Sequence, residues 1–188
     1  MLSYPSFPLG IQANWFSPDQ VSIPDPCLKN WLLDTSSLTE RLQSQCRQLD
    51  LKVLGQARLT PSDEEQSQLA QTATNENSQW QIREIVMSAQ GSPWVFARSV
   101  LPDALCKADL AELGNQPLGK ILFNDSRFVR QPFQITKIEP LSALQQMFNN
   151  TQSLWARRSV FTYKQFNMMV AEVFLPASPA YKTLNKDM

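Results

Sequence analysis

The chain has 188 residues, 43% of them apolar, enough for one domain to close a single hydrophobic core. Seventeen Lys and Arg balance seventeen Asp and Glu, so no net field gathers phosphates or anionic lipid, and neither nucleic acid nor a membrane is an expected partner. Histidine is absent; this removes Ser-His-Asp and Cys-His nucleophile pairs, imidazole bases and His-ligated zinc, and leaves any chemistry to carboxylates, Arg, Lys, Tyr or Cys.

Cys27, Cys46 and Cys106 are odd in number and lack C-x-x-C spacing, so neither a disulfide framework nor a thiolate metal cage is expected. Without nearby helper residues they read as inert small hydrophobes. The opening MLSYPSFPLGIQANWF is broken by Pro5 and Pro8 and has neither signal-peptide nor transit-peptide form. Nothing approaches eighteen consecutive apolar residues. A reduced, soluble, cytoplasmic protein is the expectation.

Residues 1–24 hold Pro5, Pro8, Pro18 and Pro24 among scattered aromatics and predict an extended proline-rich arm. Asp25-Pro26 reads as an N-cap and first-turn proline opening a short helix through Trp31 and Leu32. Ser37-Leu38-Thr39-Glu40 has capping-box spacing, and Leu38, Leu42 and Cys46 share a face, which predicts a second short helix. At Leu49, Leu51 and Val53 the period becomes two, a strand to Leu59 with a bulge before Gly55. Residues 60–78 are polar, and Ser62-x-x-Glu65 predicts a short helix followed by an exposed connector. Trp80–Ser88 and Trp94–Leu101 alternate around Ala89-Gln90-Gly91-Ser92-Pro93, a hairpin in which Gly91 can take positive φ. Residues 103–123 return to helical spacing, ending at Gly114 and restarting at Pro117-Leu118-Gly119. Arg127–Ile138, Leu154–Tyr163 and Phe166–Leu175 predict three more strands, with residues 140–149 a helical link and Lys164-Gln165 the turn of the last hairpin. Six strands in hairpin order with short helices between them define an α+β fold on a single six-stranded antiparallel sheet, one domain over 1–188.

Strand parity singles out the chemistry. Phe166, Met168, Val170, Glu172 and Phe174 share a face, which puts one carboxylate in an apolar row where it needs a partner, a proton or a ligand. Arg98 shares a face with Trp94, Phe96 and Val100, and Arg83 sits between Gln81 and Ile85; each is either half of a core ion pair or an anchor for a buried carboxylate. Glu84 has the opposite parity to Arg83, and parity alone does not say which face is the core. Arg157 and Arg158 point to opposite faces, so at most one serves a pocket. No G-x-G-x-x-G, P-loop or metal-spaced carboxylate cluster occurs, so no nucleotide, cofactor or metal is expected. The residues describe a cofactor-free site for a small cyclic carboxylate.

Five segments in order, Ile82-Arg83-Glu84-Ile85, Gly91 to Pro102 (GSPWVFARSVLP), Pro117 to Phe123 (PLGKILF), Trp155 to Ser159 (WARRS) and Glu172 to Tyr181 (EVFLPASPAY), resemble the chorismate lyase family. The likeness runs from about Asp25 to Tyr181. It implies cleavage of chorismate to 4-hydroxybenzoate and pyruvate for prenylated-quinone synthesis, without cofactor or metal; a monomer is the separate expectation. It also implies that the helical pairs near 26–46 and 104–123 are flaps over a buried pocket, with slow product release. By the same resemblance Arg83 grips the ring carboxylate, Glu172 faces the ring hydroxyl, and Leu118 and Leu38 complete the binding site; Arg98, read from its apolar strand face, is expected as a second cation for the dianion. Leu38 stands where the family carries Met, and Ala97 and Ala156 where it carries Gly. The alternative is a non-enzymatic module of the same fold that binds a small aromatic carboxylate, as attached to transcription regulators.

Overall fold

The computed structural model describes residues 7–69, 79–108, 110, 118–139, 143–148 and 151–181. Its centre is an antiparallel sheet of β1 (Asp50–Arg58), β2 (Trp80–Ala89), β3 (Ser92–Pro102), β4 (Val129–Arg130), β5 (Gln134–Ile138), β6 (Leu154–Tyr163) and β7 (Phe166–Phe174), in the order β1-β2-β3-β7-β6-β4, with β5 also on β6. β4 pairs with Phe161 and Thr162, and β5 with the stretch from Leu154 to Arg158. They are therefore one edge strand broken in the middle, and the expected six strands appear as seven segments. Pro132, which has no N–H to give a ladder, sits in the break.

The turns follow from their residues. Gln90 and Gly91 both have positive φ (54° and 75°), the two-residue hairpin geometry whose twist matches the strands. The turn is shorter than the five-residue link expected, so β2 and β3 are longer. Lys164 (φ 52°) begins the corresponding turn between β6 and β7. The expected bulge in β1 is present as a register shift between Val53 and Gly55.

Among the described residues six short α-helices cover the sheet: α1 (Pro26–Leu33), α2 (Leu38–Gln43), α3 (Asp63–Leu69), α4 (Asp103–Ala108), α5 (Leu118–Asn124) and α6 (Ala143–Met147). Asp25 caps α1, its Oδ1 accepting from Leu28 N at 2.9 Å, and Ser62 and Glu65 cap α3 reciprocally (2.9 and 3.3 Å). Cys46 lies beyond the end of α2, so the face read through it is only Leu38 and Leu42. The helix stop at Gly114, the connector at 70–78 and the ends of the 140–149 link lie outside the described residues.

Both faces of the sheet are buried. On one, Leu28, Trp31 and Leu32 of α1 and Leu38 and Leu42 of α2 pack on Ile85, Met87 and Phe174, while Leu105, Leu118 and Leu122 of α4 and α5 pack on Phe161 and Met168. On the other, Leu9, Ile11 and Trp15 of the arm lie over Phe96, Ala156 and Val173, and Leu69 of α3 meets Ile82, Val100 and Met169. The arm thus covers the face opposite the flaps. Tyr181 ties the C-terminal segment down: its hydroxyl donates to Phe174 O (3.0 Å) and accepts from Trp155 N (2.8 Å), joining β6 to β7.

Candidate active site

Register decides which side chains meet. Across the flap-covered face Arg83, Ser99, Val170 and Ser159 form one row, and Ile85, Ala97, Glu172 and Arg157 form the next. Ser99, Ala97, Val170 and Ser159 keep this floor low, with Arg83 at its β2 edge and Glu172 and Arg157 side by side on β7 and β6. The flaps close over it with Leu38 and Thr39 from α2 and Leu118, Gly119 and Leu122 from α5, and Arg130 and Phe133 complete the wall. The non-atom space beneath the flaps, open solvent at the rim included, is about 610 Å³. Arg83 on β2 and Glu172 on β7 are two strand spacings apart, about 10 Å across the sheet, and one row apart along it.

Arg83 is 1% exposed. Burial pushes its guanidinium below its ordinary value, against a partial opposing effect from Cys106, as for a cation whose loss of water is not fully offset within the protein. Glu172 meets Arg157, Oε2 accepting from Nε at 2.7 Å. Arg157 also donates through Nη1 to Trp31 O (3.0 Å) and Asp34 O (2.8 Å), satisfying carbonyls at the C-terminal end of α1. One arginine therefore fixes both the acid and a flap. Its position was legible: the Lys164-Gln165 turn sets Tyr163 opposite Phe166, and the same count sets Arg157 opposite Glu172.

Four of the five site residues expected from sequence, Arg83, Glu172, Leu118 and Leu38, line this cavity. Arg98 does not, and its assignment as a second substrate cation is corrected. An unbroken hairpin from the Gln90-Gly91 turn would set Arg83 opposite Arg98 on one face. The register shifts between Met87 and Ser88, where Met87 faces Val95 but Ser88 faces Pro93, leaving Trp94 as the extra residue. That one-residue bulge reverses the phase of β3, so Arg83 faces Ser99 and Arg98 faces Glu84. Arg98 lies on the arm-covered face, where Nε and Nη2 grip Glu65 (2.7 and 3.0 Å) and Nη1 reaches Glu84 Oε1 (2.8 Å). Arg158, in the same row, grips Glu64 through both Nη atoms (2.7 and 2.6 Å).

Arg130 and Phe133 were not singled out from the sequence, because they were read as part of a continuous strand. The break at Pro132 turns them into the cavity wall; the proline is the signal that marks it. Cys106 lies outside the cavity lining. Burial, then Asp103, pushes its thiol up to about 11, so it is no nucleophile near neutral pH.

An antiparallel sheet with helical flaps over one charge-anchored cavity defines a small-molecule-binding α+β domain. Solved structures share the fold. The effector domain of PhnF from Mycobacterium smegmatis matches with a TM-score of 0.56 at 13% identity over 77% of this chain and 91% of its own. The ligand-binding domain of a putative GntR-family regulator from Bordetella bronchiseptica matches with a TM-score of 0.54 at 13% identity, over 70% and 86%. The chain itself belongs to the chorismate lyase family, whose model matches residues 9–186. Proteins named probable chorismate pyruvate-lyase from Pseudoalteromonas atlantica and Shewanella amazonensis are 43% and 36% identical, covering 97% and 94% of this chain and 96% and 94% of theirs.

Proposed function

We propose that this chain is a chorismate pyruvate-lyase that splits chorismate into 4-hydroxybenzoate and pyruvate without metal or redox cofactor, its aromatic product serving prenylated-quinone synthesis. The observation that supports it most is that Arg83 and Glu172, from different strands, line one helix-covered, largely apolar cavity. Chorismate is a cyclohexadiene with a ring carboxylate, an enolpyruvyl ether and, on the adjacent carbon, a hydroxyl. Loss of the proton from the hydroxyl-bearing carbon and cleavage of the neighbouring C–O bond make the ring aromatic. The departing enolpyruvate takes up a proton on its methylene carbon and becomes pyruvate. Nothing is oxidised or reduced overall, so the protein has to bind the anion, exclude water and receive a proton.

In this reading Arg83 holds the ring carboxylate by charge-assisted hydrogen bonds in a dry site. Glu172, which accepts from Arg157 Nε, accepts the ring proton or directs the ring hydroxyl in this reading. Leu118 and Leu38 close over the ring from the two flaps. Purified protein incubated with chorismate and a chelator should release pyruvate and 4-hydroxybenzoate in equal amounts, with progress curves that slow as the aromatic acid accumulates under the flaps. Absence of both products would leave the ligand-binding module of the same fold as the reading.

Glu172→Gln keeps the shape and a hydrogen bond to Arg157 but is a poor base. It is expected to lower kcat by about 100-fold or more while 4-hydroxybenzoate affinity, measured by calorimetry, changes by only a few-fold. Near-normal turnover would restrict Glu172 to a hydrogen-bonding role.

A further inference from the structure

Among the described residues, the charged side chains lining the cavity are Arg83, Arg130, Arg157 and Glu172. Three guanidiniums share this lining with one carboxylate, and Asp34 acts on Arg130 from outside it; the excess of positive charge suits a dianion better than a monocarboxylate. Arg83 stands at one end of the floor. Arg157 at the other is committed to Glu172 and to the carbonyls at the end of α1. Arg130 is the third cation of the lining. Its guanidinium lies over the Phe133 ring at 4.3 Å, and that of Arg157 faces the same ring at 4.7 Å, so the aromatic fixes two planar cations in one corner.

That corner borders the surface. Val129, Gln131 and Pro132 around Arg130 are exposed, whereas Arg83 and the flap leucines are buried. Burial, and then the repulsion of Arg157, keep the Arg130 guanidinium below its ordinary value despite the attraction of Glu172 and Asp34. An incoming carboxylate would offset both effects.

We propose that Arg130 is the second carboxylate anchor of the cavity, holding the enolpyruvyl carboxylate beside Phe133 while Arg83 holds the ring carboxylate, and so distinguishing a dicarboxylate substrate from its monocarboxylate aromatic product. This rests on the lyase reading above. Its consequence is an asymmetry between substrate and product: the contact to Arg130 exists before C–O cleavage and leaves with pyruvate, whereas the contact to Arg83 persists in the product.

The test uses two unreactive ligands that differ in the second acid, 3-(carboxymethoxy)benzoate and 3-methoxybenzoate, with binding measured by calorimetry alongside chorismate kinetics. The wild type is expected to prefer the dicarboxylate by about tenfold or more, as for one added charge-assisted pair. Arg130→Gln should bring that ratio close to one, leave 3-methoxybenzoate and 4-hydroxybenzoate within about twofold, and raise the chorismate KM by a comparable factor. Arg130→Lys should restore part of the preference, and Arg130→Met serves if the Gln variant does not fold. An unchanged ratio in Arg130→Gln or Arg130→Met, or an equal loss for both ligands, overturns the assignment. A wild type that shows the ratio but releases no pyruvate overturns the lyase reading instead and leaves the anchor standing.

Discussion

Arg83→Met is expected to abolish tight binding of 4-hydroxybenzoate while leaving the free protein as stable as before, or more stable. The guanidinium is buried on the cavity floor, and burial keeps it below its ordinary value; desolvation therefore outweighs the compensation it receives in the unliganded fold, a net cost that a methionine of similar length would remove. A bound carboxylate changes the balance, because truncating one partner of a desolvated, hydrogen-bonded charge pair costs about 2–5 kcal/mol, roughly 30- to 5,000-fold in affinity. The two effects have opposite signs and are read in one melting experiment. Without ligand, the Tm of Arg83→Met should equal or exceed that of the wild type. With millimolar 4-hydroxybenzoate, only the wild type should shift upward, since stabilisation by a ligand grows with the ratio of its concentration to its Kd. kcat/KM for chorismate should fall at least as far as product affinity. A variant that loses stability but still binds 4-hydroxybenzoate would make Arg83 a packing residue and remove the anchor from the proposed mechanism.

The same residue shows where sequence reading reaches and where it stops. Parity along one strand is local, so the apolar row containing Glu172 could be read directly, as could the caps at Asp25 and Ser62 and the positive-φ turn at Gly91. Relations between strands need register, and register depends on single inserted residues. Trp94, the extra residue near the start of β3, sends Arg98 to the face opposite Arg83, although the two look equivalent in sequence. Hydrophobicity gives no help, because flaps cover one face and the arm the other, and both rows read as apolar. Gly55 belongs to the same lesson: the Phe7 ring occupies the place its Cβ would take, a requirement set by a segment almost fifty residues away. Arg130 and Phe133 were hidden for another reason. A strand interrupted for three residues keeps its periodicity on either side, and only Pro132 shows that the chain leaves the ladder.

The second large effect is expected on the far side of the sheet and concerns stability. Arg98 there neutralises Glu65 and Glu84, and Glu84 also accepts from Leu9 N (2.8 Å) and Gly10 N (2.9 Å), so one buried cluster joins β2, β3, α3 and the arm. Arg98→Met would leave two buried carboxylates without their shared cation, at a cost of about 3–5 kcal/mol, or roughly 6–20 °C in Tm for a domain of this size. Replacing Glu84 by Gln in the same chain should recover part of the loss, because the two sites are coupled. Since none of these groups lines the cavity, folded Arg98→Met should keep the chorismate KM of the wild type; a raised KM would return Arg98 to the substrate. Acid gives an independent check. Burial alone would raise the Glu65 carboxyl, but the hydrogen bonds and charge of Arg98 outweigh it and hold the group below its ordinary 4.5. A folded value below the unfolded one contributes stability that is complete above about pH 4.5 and is lost as the pH falls through the folded value. In Arg98→Met the sign reverses, because carboxylates buried without a cation favour their protons. The stability gap between the two proteins, measured by urea unfolding, should therefore narrow steadily from pH 7 to pH 4. A gap that stays constant over that range would mean that Arg98 contributes by packing alone.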